Sequence, residues 1–340
     1  MIASVAFRNF RALRSTSLAL APFNLLIGPN GSGKTSLIQA LLRLRTLAKL
    51  PLAAGAAREE RQGGPAAAKA MAGKPEIGFQ FSPPHESIAA RMSCVSDYVC
   101  DRLQITPADA PGWPALRDEI AQIRSYLLDH YAMAEPAART NSTKLASNGG
   151  NLAAVLAHLR ATAPGSFAGL VAEAVRIMPE FAAIELGERE DSAWELALRL
   201  VEGDLVTAEN LAQGALYTLA VLALSFDPAP PALLCIEEID RGIHPRLLRE
   251  MRDALYRLSH PTAFGLARRP AQIIATTHSP YMLDLFREHP EEIVLAHKRG
   301  REARFERLAD RADLAELLRE GSLGDMWFSG ILGGVPEERP

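Results

Sequence analysis

Hydrophobic and polar residues alternate at the start of the chain and then give way to a glycine-rich turn. Residues 2–7 and 17–27 have the two-residue period of a β-strand, and the second segment ends in an apolar run. Over residues 36–49 the leucines recur at helical spacing, and Pro51 ends that pattern. The pattern therefore predicts a strand, a loop and a helix, in that order.

The rest of the chain alternates between β-like and helical stretches. Short β-like runs at 76–81, 87–92 and 98–105 predict an antiparallel subdomain. A helix is expected after Pro114 towards residue 131, and another from its cap Asn151 to residue 158 or beyond. The later pattern predicts a hairpin at 183–190 with 194–201 and a buried helix at 211–226. It also predicts two buried strands, at 232–236 and 272–277, and a final strand pair at 293–297 with 303–308.

The glycine-rich turn, residues 28–35, matches the pattern G-x-x-x-x-G-K-[ST] between a predicted strand and a predicted helix. Glycines let backbone N–H groups face phosphate oxygens, and the helix N-terminus adds partial positive charge. Lys34 is expected to reach the β- and γ-phosphates of ATP, and the Thr35 hydroxyl is expected to ligate Mg²⁺. The expected nucleotide-binding residues are Asn30, Gly31, Ser32, Gly33, Lys34, Thr35 and Ser36.

Two later apolar runs end in side chains suited to phosphoryl chemistry. Residues 233–236 lead to Glu237 and Glu238, as a buried parallel strand presents carboxylates at its carboxyl edge. We expect Glu237 to bind Mg²⁺ and Glu238 to polarise the attacking water. A second strand leads to His278, which is expected to point towards the γ-phosphate. Taken alone, the two acids would be a solvated strand end and His278 would be a structural histidine. The glycine-rich turn at 28–35, which has the pattern of a P-loop, and the order of the three motifs instead favour one catalytic site.

Composition excludes several classes of protein. The formal net charge is −3 with a pI near 6.3, so there is no global basic field for nucleic acid or membranes. The three cysteines lack zinc-like spacing and argue against a disulfide framework, so we expect reduced thiols that act as small apolar residues. No export signal is apparent, and the longest apolar run is shorter than the ~20 residues of a membrane span. We expect a cytoplasmic protein without membrane contact.

Together the motifs resemble the ABC-type ATPases of the SMC, RecF and OLD-like group. The resemblance covers most of the chain and includes His244, six residues after the second acid, and the strand that ends in THSP. The chain is similar to the short stand-alone ATPases of AAA type that lack both coiled coils and a nuclease domain. The resemblance implies an α/β fold: a P-loop NTPase head of ABC type with a mixed parallel core sheet, an antiparallel β subdomain and a small helical lobe.

The resemblance also implies how one head, residues 1–340, is organised. A P-loop half should be followed by a flexible connection, an antiparallel β insert and a helical lobe. The last half should carry the signature loop at 211–215, the Walker B strand that ends at Glu237 and Glu238, and the H-loop at His278. The expected bounds of these parts are 1–50, 53–75, 76–105, 114–180 and 183–340.

In that family two heads sandwich two ATP molecules, and a signature loop of one head completes the site of the other. Here the loop maps onto residues 211–215, and Gly214 is where the backbone would approach the γ-phosphate in trans. The family usually has serine where this chain has Ala212, so one hydroxyl contact is missing, which affects turnover more than binding. His244 falls at the D-loop position, where it should lie at the dimer seam.

Several further residues keep two interpretations. Arg8 and Arg11 resemble basic residues near the phosphates in some family members, or are surface residues, and Phe10 is an adenine platform or a core residue. Gln80 and Gln104 are equally weak candidates for the glutamine of the family's Q-loop, and an ordinary strand residue is the favoured interpretation of each, so that role is left unassigned. Clustered arginines could touch a DNA backbone, although solvated faces are favoured, and these are Arg246, Arg249, Arg252, Arg268 and Arg269.

By resemblance, the function is an ATP-driven switch. Two heads would close on ATP and Mg²⁺, and hydrolysis would open them to act on DNA or a separately encoded nuclease or other effector, in genome maintenance or anti-phage defence. Ala212 motivates an alternative, a non-hydrolysing ATP-binding scaffold. A transporter subunit is disfavoured by the β insert and the unusual signature loop. A small-molecule kinase would not need the strand that ends at His278.

Overall fold

The computed structural model describes residues 1–50, 73–140, 143–190 and 192–333. The chain forms two compact units, each described here by itself. Unit 1 comprises Met1–Arg124, Pro231–Cys235 and Gln272–Pro340, and unit 2 comprises Ser125–Pro230 and Ile236–Ala271. Nearly all of the predicted connection 53–75 lies outside the described residues.

The strands in the described residues are β1 Ile2–Phe10, β2 Leu13–Ala19, β3 Phe23–Ile27, β4 Glu76–Phe81, β5 Ala89–Cys94, β6 Cys100–Thr106, β7 Arg124–Tyr126, β8 Ala137–Ala138, β9 Phe181–Glu188, β10 Ala193–Leu200, β11 Leu205–Thr207, β12 Leu233–Ile236, β13 Gln272–Thr277, β14 Ile293–Arg299 and β15 Glu302–Arg307. The α-helices are α1 Lys34–Ala48, α2 Trp113–Ala121, α3 His130–Ala134, α4 Leu152–Thr162, α5 Pro164–Ile177, α6 Gln213–Ser225, α7 Leu248–Ser259, α8 Pro280–Leu285, α9 Leu314–Glu320 and α10 Leu323–Phe328.

An antiparallel sheet in unit 1 has the order β2-β1-β4-β5-β6. In its strands β4 and β5 every second residue is buried, so one face is apolar, and Ile77 and Phe79 share a core with Leu37 and Leu41 of α1. The predicted runs at 76–81, 87–92 and 98–105 are confirmed as antiparallel strands. The N-terminal strands β1 and β2 join the same sheet, and their buried residues belong to the same core as the helix that follows the P-loop.

A six-stranded sheet has the order β15-β14-β3-β13-β12-β7. β3 runs parallel to both β13 and β14, and all residues of β3 and β13 are buried, which explains why most of their residues are apolar. The final pair β14–β15 is antiparallel and turns at Gly300, as predicted. The mixed core sheet of the expected fold is therefore present.

The prediction of one helix from Pro114 towards residue 131 is wrong. The helix α2 ends at Ala121, and the next residues form the strand β7, in which Tyr126 is buried. Pairing within the sheet overrides the local helical pattern there, because strand formation depends on neighbouring strands more than on local propensity.

Unit 2 contains the predicted hairpin as the antiparallel pair β9–β10, and the buried helix as α6, whose residues from Ala215 onwards are all buried. Asn151 occupies the N-cap position of α4 as expected, but its side chain does not cap the helix. Its Oδ1 instead accepts from the Ala146 N–H at 2.7 Å, and its Nδ2 donates to the Lys144 carbonyl at 2.9 Å. Asn151 thus fixes the turn before the helix, an Asx-type role that competes with capping.

The expectation of reduced, unpaired cysteines is also corrected. Cys94 and Cys100 form a disulfide across the antiparallel pair β5–β6, while Cys235 is a buried free thiol in β12. The register of the two strands places Cys94 opposite Cys100, a relation that the count and spacing of cysteines do not reveal. No helix in the described part of the chain is both long and apolar enough to cross a membrane.

Candidate functional site

The P-loop leaves the core sheet at the carboxyl end of β3. Parallel pairing aligns Ile27 of β3 with Thr277 of β13 and with Leu295 of β14. The loop and the residues that follow β13 therefore emerge at the same sheet edge, where ligands bind in open α/β sheets. This arrangement confirms the predicted order of strand, glycine loop and helix α1.

The backbone of the loop has requirements that only glycine meets. Gly31 and Gly33 have φ angles of 76° and 96°, in the left-handed region, and Gly33 is the N-cap of α1. Gly28 is needed for a different reason, because a Cβ there would collide with the carbonyl oxygen of Ala296 on β14 and lie 2.5 Å from Ser32 Oγ. The glycines thus allow a tight turn that opens onto a helix N-terminus.

The polar side chains of the loop are suited to phosphate. Lys34 is buried, and its Nζ donates to the carbonyls of Gly28 at 2.6 Å and Pro29 at 3.2 Å, which holds the ammonium over the loop. Ser32 is also buried, and its Oγ has no hydrogen-bond partner among the described residues. A buried polar atom without a partner costs free energy, and a phosphate oxygen would satisfy it. The residues present therefore fit a nucleotide phosphate chain. Thr35 and Asn30 are exposed at the loop, and Ser36 is buried in the first turn of α1.

Sequence analysis did not identify Lys298, a second lysine beside the loop. It lies on β14, and its Nζ is 3.0 Å from the position that a Cβ on Gly31 would occupy. The parallel register of β14 against β3 brings it there. Only the pairing of two segments that are far apart in sequence could have revealed it.

His278 is exposed directly after the buried strand β13. The preceding Thr277 is fully buried, and its Oγ1 accepts from the Ser279 N–H at 3.0 Å, which shapes the turn into α8. Within unit 1 the structure brings His278 and the P-loop to one sheet edge, as the strand pattern predicts.

The two acids after β12 are part of unit 2. The Glu237 N–H donates to the Tyr126 carbonyl at 2.8 Å. Glu238 is half-buried with a φ of 52°, a left-handed conformation that costs free energy for a residue with a side chain. Arg241 Nη1 lies 3.8 Å from Glu238 Oε2. Strain of this kind is common at functional sites, but the catalytic and metal-binding roles of these acids stay predictions.

The signature segment, also in unit 2, begins helix α6. Ala212 is its N-cap and supplies no side-chain hydrogen bond, whereas a serine there would accept from a free N–H of the first turn. Gly214 lies in that first turn, and a Cβ on it would be 3.2 Å from the carbonyl oxygen of Gly242. His244 is exposed, and its Nδ1 accepts from the Arg246 N–H at 3.2 Å.

The basic and aromatic residues near the N-terminus have other partners. Arg11 donates through its backbone and Nε to Asp97, and its guanidinium lies over the rings of Phe10 and Tyr98. Phe10 is fully buried, as its core interpretation requires, and Arg8 is exposed. Burial, followed by the charge of Arg11, lowers the pKa of Arg43, which also lies over Phe10.

Most of the remaining candidates lie where their structural interpretations place them. Gln80 and Gln104 are strand residues of the antiparallel sheet, in β4 and β6. Arg246 and Arg249 are exposed, as favoured for a solvated face, and Arg252 bonds Asp253 at 2.8 Å. Arg268 is half-buried, and its Nη atoms donate to the carbonyls of Asp227, Ser225 and Arg257, so it is a structural cap and not a DNA contact.

Comparison with known proteins agrees with the fold and the loop. A family model described as "AAA ATPase domain" matches residues 1–72, and one described as "AAA domain, putative AbiEii toxin, Type IV TA system" matches residues 172–284. The "DNA replication and repair protein RecF" of Erwinia tasmaniensis is 55% identical over 38 residues, which are 11% of this chain and 10% of that protein. The match thus spans about a tenth of the length of this relative.

Among solved structures, SMC heads resemble most of the chain. The SMC head bound to the C-terminal winged-helix domain of ScpA has a TM-score of 0.61 at 13% identity, over 90% of this chain and 97% of that one. The SMC head from Thermotoga maritima has a TM-score of 0.51 at 12% identity, over 90% and 98%. A head from Pyrococcus furiosus with an extended coiled coil, bound to the C-terminal domain of ScpA, has a TM-score of 0.54 at 13% identity, over 94% and 99%.

At these identities the structural likeness shows the fold alone, which is that of a P-loop ATPase head of ABC type. Together with the family models and the RecF match, it confirms the resemblance to SMC- and RecF-like ABC-type ATPases that the motifs predicted.

Proposed function

We propose that the chain binds ATP with Mg²⁺ at the P-loop, hydrolyses it, and uses the cycle as a conformational switch. The P-loop carries the proposal. Lys34 Nζ is already fixed over the loop by two carbonyls, and the buried Ser32 Oγ has no partner among the described residues. A loop that holds a cation and leaves a buried hydroxyl unsatisfied is suited to phosphate oxygens.

The roles of the other residues follow from the family resemblance. Thr35 and Glu237 would hold Mg²⁺, which when bound neutralises charge on the β- and γ-phosphates. Glu238 would accept a proton from the attacking water, and His278 would hydrogen-bond the γ-phosphate. The exposed position of His278 beyond β13, at the edge where the P-loop also emerges, supports its role.

We further propose that two copies of the chain close on ATP as a homodimer, with Gly214 of one copy facing the phosphates bound by the other. The position of Gly214 in the first turn of the 13-residue helix α6 supports this, because unpaired N–H groups point out of such a turn. Opening after hydrolysis would act on DNA or on a separately encoded nuclease or other effector. The printed names of the relatives, a DNA repair protein and a toxin family, are compatible with genome maintenance or anti-phage defence.

The decisive measurement compares Glu238→Gln with the wild type in ATP binding and in steady-state and single-turnover hydrolysis. Loss of a general base should lower hydrolysis by about 10²-fold or more and leave ATP binding intact. The same variant should increase the fraction of ATP-dependent dimer, measured by light scattering. The matched control is Glu180→Gln, an exposed glutamate of the same unit, which should hydrolyse ATP like the wild type.

A second candidate function is a non-hydrolysing ATP-binding scaffold, which the uncapped N-terminus of α6 at Ala212 supports. The scaffold function would be established if the wild type binds ATP but hydrolyses it no faster than Glu238→Gln. If the wild type does not bind ATP at all, both functions fail.

A further inference from the structure

Buried polar atoms without partners are concentrated at two places. Among the described residues, five buried side-chain atoms lack a hydrogen-bond partner, and one of them is the Ser32 Oγ of the P-loop. Three of the other four, Ser225 Oγ, Arg257 Nε and Arg268 Nε, belong to residues that line a single cavity in unit 2. Each such atom in a native protein calls for a ligand, a water or a strain-based explanation. Their shared location points to a missing acceptor.

The cavity has a volume of about 370 Å³. Its wall includes the first turn of the 14-residue helix α5, with Ser166, and the end of α6, with Ser225 and Phe226. The first-turn N–H groups of a helix have no intrahelical acceptors and carry partial positive charge. Ser225 is fully buried, so its hydroxyl depends on whatever occupies the space beside it.

The charge in this cavity is unbalanced. The Arg257 guanidinium makes no hydrogen bond or ion pair with any described residue, and it stacks on the Phe226 ring at 4.3 Å. Arg268 lies close enough that, after burial, the charge of Arg257 further lowers the pKa of Arg268. The acid in the cavity wall, Asp227, is already bonded to Lys144 Nζ at 2.9 Å and to the Ala229 N–H at 2.9 Å.

We propose that this cavity binds a small phosphorylated molecule, whose phosphoryl oxygens accept hydrogen bonds from Arg257, Ser225 and the first turn of α5. A phosphoryl group offers three acceptor oxygens and nearly two negative charges. It can therefore accept from donors on three different elements at once, whereas a carboxylate has only two oxygens. The volume lies in the range of small-molecule pockets, and Phe226 supplies an apolar wall for the carbon part. A phosphate within a DNA duplex would not fill such a recess.

The test measures binding of ribose 5-phosphate, with inorganic phosphate as the second probe, by calorimetry. The full-length Lys34→Ala chain serves as the background, so that the P-loop does not contribute and the outcome is independent of the proposed ATPase. Arg257→Gln should weaken ribose 5-phosphate binding by about tenfold or more, because it removes a charge-assisted hydrogen bond. Arg252→Gln is the matched control: it lies on the same helix, is bonded to Asp253, and should leave affinity unchanged.

Thermal unfolding separates this role from a structural one. In the absence of probe, Arg257→Gln should unfold within a few degrees of its parent, since it loses the stacking on Phe226 but no acidic partner. The probe should raise the unfolding temperature only in the parent. If Arg257→Gln does not fold, Ser225→Ala serves as the second variant and should weaken binding severalfold. The proposal is overturned if ribose 5-phosphate does not bind, if it binds no tighter than inorganic phosphate, if Arg252→Gln weakens binding equally, or if only duplex DNA binds through Arg257.

Discussion

The P-loop and the signature segment both present a helix N-terminus, yet they differ in how much their side chains contribute. At the P-loop, Lys34 is fixed over the helix start and Ser32 leaves a buried hydroxyl unsatisfied. At the signature segment, Ala212 stands at the N-cap without any side-chain hydrogen bond. The difference teaches that unit 1 has side chains suited to phosphate, whereas the proposed contact in trans would depend on backbone groups alone.

The largest effect should come from Gly28→Ala in the P-loop. The new Cβ would collide with the Ala296 carbonyl of a neighbouring strand, and buried backbone cannot move aside cheaply. We expect a loss of ~3 kcal/mol in the free energy of unfolding and loss of ATP binding. Chemical denaturation and nucleotide titration measure both. Gly187→Ala, whose Cβ would meet nothing within 4 Å, should change stability by less than about 0.5 kcal/mol. Equal stability of the two variants would contradict the close approach of β14 to the loop.

A second substitution, Gly214→Ala in the signature segment, should separate stability from activity. Its Cβ would lie 3.2 Å from the Gly242 carbonyl, a mild crowding that the better helix propensity of alanine offsets by up to ~1 kcal/mol. We expect an unchanged unfolding midpoint and ATP affinity. ATPase activity should fall by about tenfold, because the backbone approach in trans is blocked. Unaltered steady-state turnover would remove Gly214 from the proposed site.

The smallest effect is expected from Ala212→Ser, which restores the missing N-cap hydroxyl. The serine oxygen can accept from a first-turn N–H, which should stabilise α6 by ~1 kcal/mol. If the same hydroxyl serves the trans site, ATP turnover should rise severalfold, as measured in a steady-state assay. Ala212→Val, which has no hydroxyl, should show neither gain. A stabilised but no faster Ala212→Ser protein would confine the residue to a structural role.

Local sequence predicted the elements that depend on neighbours along the chain. The P-loop, α1, β13 and the pair β14–β15 appear close to where periodicity and glycine placement indicate. The predicted helix beyond Ala121 failed because residues 124–126 belong to a sheet, and sheet pairing is not encoded in a short window. Asn151 was placed correctly as an N-cap but bonds the preceding turn, since both geometries use the same residue type.

The sequence by itself determined the phosphate-binding loop, because glycine, lysine and helix start act within eight consecutive residues. Only the tertiary structure decided which distant groups meet. It brought Lys298 beside Gly31, Cys94 opposite Cys100, and the unpartnered donors of Ser225, Arg257 and Arg268 around one cavity. Those relations depend on strand register and helix packing between segments far apart in the chain, and a linear pattern of residues does not specify either.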